Sequence, residues 1–127
     1  MAATVRNDAD HDSCAALLQR EAGSLVVPTL VLAEAGYLVA KALGPTAEAA
    51  LLRAAARGEF RLEAPTGHDL DRMAELVEAY ADLRLGTVDA SVIALAERLG
   101  LTSVATLDRR HFAVVRPIHV EAFTLLP

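Results

Sequence analysis

Short apolar runs closed by Pro or Gly alternate along this chain with stripes at helical spacing, and that alternation constrains the fold more than any other feature. Strands joined through helices pair in parallel. The alternation therefore predicts an α/β domain, a short and mainly parallel sheet flanked by helices. Ser24-Leu25-Val26-Val27-Pro28 reads as a buried strand that Pro28 ends, and Thr29 is placed to cap a helix running to Leu43 before Gly44-Pro45. A second helix is expected from Thr46 to about Arg57, closed by Gly58, and an edge strand over Phe60 to Glu63. Thr66 with Asp69 resembles a capping arrangement before a helix whose apolar stripe is Leu70, Met73, Leu76, Val77 and Tyr80.

After an irregular stretch from Asp82 to Gly86, Thr87 is placed to cap a helix striped with Val88, Val92, Leu95, Ala96 and Leu99 and ended by Gly100. Ser103 to Leu107 forms a buried strand leading to Asp108, and Ala122 to Leu126 a last strand. Ligands of such sheets bind beyond the carboxyl ends of the strands, which is where Asp108 falls. Before Ser24 the chain opens in a helix, Ser13 to Glu21 with Cys14, Leu17 and Leu18 on one face, rather than in a strand.

A length of 127 residues predicts one domain, residues 1–127. With 54% hydrophobic residues, three Phe, two Tyr and no Trp, its core is built from Ala, Leu and Val. A single cysteine, Cys14, excludes an internal disulfide and a cysteine zinc site, and reads as a small apolar filler. No apolar run approaches the roughly 20 residues that span a bilayer, and the start of the chain is polar. The expectation is a cytoplasmic protein with no membrane partner. A net charge of −5 argues against broad nucleic-acid affinity, but a carboxylate cluster that holds cations counts as negative in a formula that omits the metal.

Three carboxylates stand where the pattern calls for apolar residues. Glu34 is the only charged side chain from Ala22 to Ala40, with Leu30, Val31, Tyr37 and Leu38 adjacent on the helix surface. A carboxylate held among apolar neighbours is costly unless paired, protonated or metal-bound; an exposed edge of the helix would remove the conflict. Asp89 lies in the first turn of its helix and shares a face with Ile93 and Ala96, and the helix macrodipole alone would account for it. Asp108 ends a buried strand and could serve only as a cap or turn residue. Together the three match the oxygen ligands that suit Mg²⁺ or Mn²⁺. No Gly-rich phosphate loop, Gly-x-Ser-x-Gly elbow or metal-spaced His pair competes.

Three segments resemble the PIN domains of VapC-type toxins. Val27-Pro28-Thr29-Leu30-Val31-Leu32-Ala33-Glu34 is similar to their second strand and the helix that carries one acidic metal-site residue. Tyr80-Ala81-Asp82-Leu83-Arg84-Leu85-Gly86-Thr87-Val88-Asp89-Ala90-Ser91 resembles the segment carrying another. Ala94 to Gly100, followed by Thr106-Leu107-Asp108-Arg109-Arg110-His111-Phe112, resembles the helix, strand and turn carrying a third. Order and spacing agree across residues 13–127. The resemblance implies a PIN-like fold and a metal-dependent endoribonuclease, the toxin of a type II toxin–antitoxin pair, hydrolysing RNA by a Mg-activated water. It implies Mg²⁺ or Mn²⁺ at Glu34, Asp89 and Asp108, which would also be the catalytic residues. Thr106 would play a supporting role, and Arg109 and Arg110 are candidates for holding the RNA backbone, though arginines at such positions are commonly only solvated. Implied partners are an RNA substrate such as tRNA or rRNA, a small cognate antitoxin, and a second copy in a homodimer.

At one point the sequence departs from the family. Members open with a short apolar strand ending in Asp and a Thr or Ser, whereas Met1-Ala2-Ala3-Thr4 lacks both and aligns with the helix that follows. The expectation is a PIN-like domain lacking the usual first strand. A start assigned downstream of the natural one, a catalytically inactive remnant that binds antitoxin or RNA without cleavage, and another segment filling the gap are the alternatives. A phosphoacceptor signalling domain, which also clusters acids on a parallel sheet, is disfavoured because Lys41 is the only lysine.

Overall fold

A computed structural model of the chain describes residues 25–105, 114–119 and 124–126. The opening helix expected over Ser13–Glu21, Cys14 included, lies outside the described residues, as does the question of a first strand. The chain divides into two compact units, Met1–Glu63 and Ala64–Pro127, each described here by itself.

In the first unit, β1 (Val26–Pro28) pairs in parallel with β2 (Arg61–Glu63), placing Val26 opposite Arg61 and Pro28 opposite Glu63. Two helices join them, α1 (Thr29–Leu43) and α2 (Pro45–Ala56). The residue that caps α1 is Pro28, not Thr29. Its φ of −60° and ψ of 141° turn the strand into the helix with no side-chain cap, so Thr29 is already the first helical residue. Gly44 then takes φ 89°, a backbone region that suits glycine, and its N–H donates to Ala40 O at 2.9 Å. Pro45 follows as the first residue of α2, where its missing N–H leaves no helical bond unmade. Ala35, Gly36 and Val39 form the buried face of α1, which packs on α2.

In the second unit, α3 (Gly67–Ala79) packs on α4 (Thr87–Leu99), and β3 (Ser103–Ala105) pairs in parallel with β4 (Thr124–Leu126). Both strand pairs are parallel, as expected of a mainly parallel sheet, and β1 and β2 omit Leu25 and Phe60 of their sequence patterns. The Thr66–Asp69 capping box is present: Thr66 N donates to Asp69 Oδ2 at 2.9 Å and Asp69 N to Thr66 Oγ1 at 3.2 Å. The buried face of α3 is Asp69, Met73 and Leu76, whereas Leu70 and Val77 are exposed. The expected stripe is thus rotated, because the buried position one turn before Met73 is taken by a carboxylate.

Between α3 and α4 a single 3₁₀ turn, Ala81–Leu83, leads to Arg84, which adopts a left-handed backbone at φ 55°. Gly86, rather than Thr87, caps α4. This helix is the centre of the unit: Ala90, Ser91, Ile93, Ala94, Leu95 and Ala96 are all buried, a belt wider than one stripe. Ser91 is tolerated there because its hydroxyl donates to Val88 O at 2.6 Å. Gly100 at φ 69° ends the helix. Among the described residues, no helix is long and apolar enough to cross a membrane.

Candidate active site

Glu34 stands in the middle of α1, on the side opposite Ala35, Gly36 and Val39. It is exposed, and Tyr37 and Leu38 beside it are exposed too. Of the two readings the sequence leaves open, a carboxylate held among apolar neighbours and an exposed edge of the helix, the structure has the exposed edge. Leu30 and Val31 are half-buried, but the carboxylate itself reaches water, so hydration removes the penalty of burial. An open carboxylate on a rigid helix remains able to ligate a cation.

Asp89 is half-buried in the first turn of α4. One turn on lies Ile93, which is fully buried, so packing fixes the backbone that carries the carboxylate. The amide-rich end of the helix favours its negative charge. A charge held on a packed helix end suits a ligand role without requiring one.

Asp108, Thr106, Arg109 and Arg110 lie outside the described residues. Glu34 and Asp89 belong to different units, each described by itself. Among the described residues, no group of three His, Cys, Asp or Glu side chains forms a metal-holding cluster. The donor chemistry of Glu34 and Asp89, carboxylate oxygen at both, fits Mg²⁺ or Mn²⁺.

Asp69 and Glu97, among the described acids of the second unit, accept from arginines. Asp69 receives Arg98 Nε at 2.9 Å as well as the Thr66 amide. Burial raises its pKa, but the Thr66 N–H and the Arg98 guanidinium outweigh that and hold the carboxyl below its ordinary value. Glu97, nearly solvent-free, accepts Arg72 Nε on Oε1 at 2.8 Å and Arg72 Nη2 on Oε2 at 3.0 Å. Hydrogen bonding to Glu97 in turn raises the Arg72 pKa, against its partial burial. Sequence reading noted Asp69 only as a cap and Glu97 only as part of a familiar run. The partners lie 29 and 25 residues away, and no local pattern marks them.

Comparison with known proteins defines the class first. The PIN domain family model matches residues 1–116. The solved structure of VapC20 of Mycobacterium tuberculosis, described as a sarcin–ricin loop cleaving toxin, superposes with a TM-score of 0.81 at 20% identity, over 94% of this chain and 92% of that one. This chain has the PIN fold. Ribonuclease VapC26 of Mycobacterium tuberculosis is 39% identical over 118 residues, 93% of this chain and 87% of that protein. The chain belongs to the PIN domain family, among its VapC-type ribonucleases.

Proposed function

We propose that the chain is a single PIN domain acting as a metal-dependent endoribonuclease, the toxin of a type II toxin–antitoxin pair in the cytoplasm. The 39% identity to a VapC ribonuclease, running through the segments that hold Glu34 and Asp89, carries this reading. Glu34, Asp89 and Asp108 are the residues proposed to hold Mg²⁺ or Mn²⁺ and to serve catalysis. A divalent cation bound there would supply Lewis acidity for the attack of water on an RNA phosphodiester.

In this reading Glu34 presents its oxygens from the open face of α1, and Asp89 does so from the first turn of α4. Thr106 would place a hydroxyl near Asp108, and Arg109 and Arg110 would contact the phosphate backbone of a tRNA or rRNA substrate. A small antitoxin and a second copy of the chain are the proposed protein partners. The exposed Tyr37, Leu38 and Leu43 on α1 and Leu52 on α2 offer apolar surface for one of them.

The test is cleavage of structured RNA with added Mg²⁺ or Mn²⁺ by the parent, by Asp89→Asn and by Asp108→Asn. Both substitutions are expected to abolish cleavage, and products of the parent should carry 5′-phosphate and 3′-hydroxyl ends. Undiminished metal-dependent cleavage in both variants would sink the assignment. A folded parent that binds RNA or antitoxin without cutting would support the binding module instead.

A further inference from the structure

Among the described residues, Arg84 is the only one other than glycine with a positive φ, 55° with ψ 47°. At the other such turns the chain places Gly44, Gly58 and Gly100, because the left-handed region crowds a Cβ against the backbone. The turn shows how the strain is held. Arg84 N donates to Ala81 O at 3.1 Å, and Leu85 beside it is 3% exposed. Leu83 on the other side is half-buried, so two leucines pin the backbone while Arg84 itself is exposed. The packing gives no reason for an arginine where glycine would be unstrained. Strain of this kind gathers where a side chain has a function to serve.

The arginines of the second unit fall into two kinds. Arg72 is committed to Glu97 and Glu75, and Arg98 to Asp69. Among the described residues, Arg84 and Arg116 form no ion pair, and both are exposed. Tyr80 brings these two together. Leu83 N donates to Tyr80 O at 3.0 Å at the base of the turn, and Arg116 N donates to the Tyr80 hydroxyl at 2.9 Å. Val115 and Pro117 on either side of Arg116 are buried, which fixes its backbone as the leucines fix that of Arg84. The turn that carries Arg84 runs into Gly86 and the first turn of α4, where Asp89 lies.

We propose that Arg84 and Arg116 form a pair of phosphate contacts that hold the RNA backbone near the Asp89 end of α4. The proposal rests on the reading of the chain as a ribonuclease. A guanidinium offers two parallel donors to a phosphate and is weakly hydrated, and one that bridges no carboxylate has no bond to give up first. Glu78 and Asp82 are exposed near the same turn, and the chain carries a net charge of −5. Diffuse attraction is therefore weak, and binding must come from a few directed contacts. Such contacts orient the strand and read no base. Neither arginine enters the chemical step.

Binding of a fluorescently labelled RNA hairpin to the full chain, followed by anisotropy in EDTA, separates affinity from metal-dependent cleavage. Arg84→Gly and Arg116→Ala are each expected to weaken binding roughly three- to tenfold. Each should also flatten the slope of log affinity against log salt by about 0.7–0.9. Arg84→Gly relieves the left-handed strain, so its Tm should not fall, and weaker binding in that variant cannot come from unfolding. Arg57→Ala, which removes an arginine already paired with Glu59 in the first unit, should bind as the parent does. In cleavage with Mg²⁺, KM should rise by the same factor in Arg84→Gly with kcat unchanged. Parent-like affinity in either Arg84→Gly or Arg116→Ala overturns the pair, and so does an equal loss in Arg57→Ala. A parent that binds the hairpin without cutting RNA sinks the ribonuclease reading while the affinities still decide this one. A parent that does neither sinks both.

Discussion

Replacement of Asp69 by alanine tests whether a buried carboxylate organises the second unit. The side chain is 5% exposed and holds two partners, the Thr66 amide at 2.9 Å and Arg98 Nε at 2.9 Å. Loss of the acceptor for Thr66 N removes half of a capping box, worth about 1 kcal/mol. Loss of the Arg98 contact is worth about 1 kcal/mol more, held to that figure because Arg98 is itself 31% exposed and can turn to water. The sum, about 2 kcal/mol, corresponds to a fall in Tm on the order of 5–10 °C for a domain of this size. Asp69→Asn keeps an acceptor for the cap and should cost about half as much. In a double-mutant cycle with Arg98→Met, urea unfolding should report a coupling of about 1 kcal/mol. A coupling indistinguishable from zero would refute the pairing as a source of stability.

The same residue makes a signed prediction in pH. Its folded pKa lies below the ordinary carboxylate value, so the folded state binds the proton less well than the unfolded chain. The stability it contributes is therefore fully present above the unfolded value of about 4 and is lost as pH falls through the lower folded value. Other carboxylates titrate over the same range, which makes the difference between the parent and Asp69→Asn the useful quantity. That gap should be flat from pH 7 to about pH 5 and narrow below about pH 4. A gap that widens on acidification would contradict the direction of the shift.

Arg84 at φ 55° should prefer glycine: Arg84→Gly is expected to gain about 0.5 kcal/mol, and Arg84→Val to lose about 1–2 kcal/mol, both read by urea unfolding. On α3, Leu76→Ala should cost roughly 3 kcal/mol, because the side chain is 1% exposed, while Val77→Ala should cost less than about 0.5 kcal/mol in the same assay. Equal losses at 76 and 77 would mean the buried face of the helix is misplaced.

The contrast between Leu76 and Val77 also shows how far the fold can be read from sequence. Helix existence, order and ends were legible because Gly44, Gly58 and Gly100 mark backbone turns that few other residues adopt, and all three have positive φ. Parallel pairing of β1 with β2 was legible because helices separate their strand patterns. The inner face of α3 was not. Hydropathy assigns a carboxylate to solvent, and Asp69 can be buried only because an arginine 29 residues later and an amide three residues earlier neutralise its demand for water. The caps at Pro28 and Gly86 were missed by one position for a related reason: the expected threonines carry the side-chain signal, but the backbone turn is made by the residue before each.

Legibility of the candidate site divides along the same physical line. Glu34, Asp89 and Asp108 stand out in sequence because each is a charge in an apolar setting, but that criterion measures only local contrast. Glu34 shows its limit, since it is exposed together with Tyr37 and Leu38, although Leu30 and Val31 are half-buried. The acids that are buried, Asp69 and Glu97, are not marked as buried in the sequence because their arginine partners lie 29 and 25 residues away. A buried acid must already have its oxygens satisfied, and oxygens satisfied by arginine and backbone amides are not available to a cation. The acids suited to ligate are those whose backbone is rigid while the carboxylate still reaches water. Asp89, half-buried one turn before the fully buried Ile93, sits on such a rigid backbone.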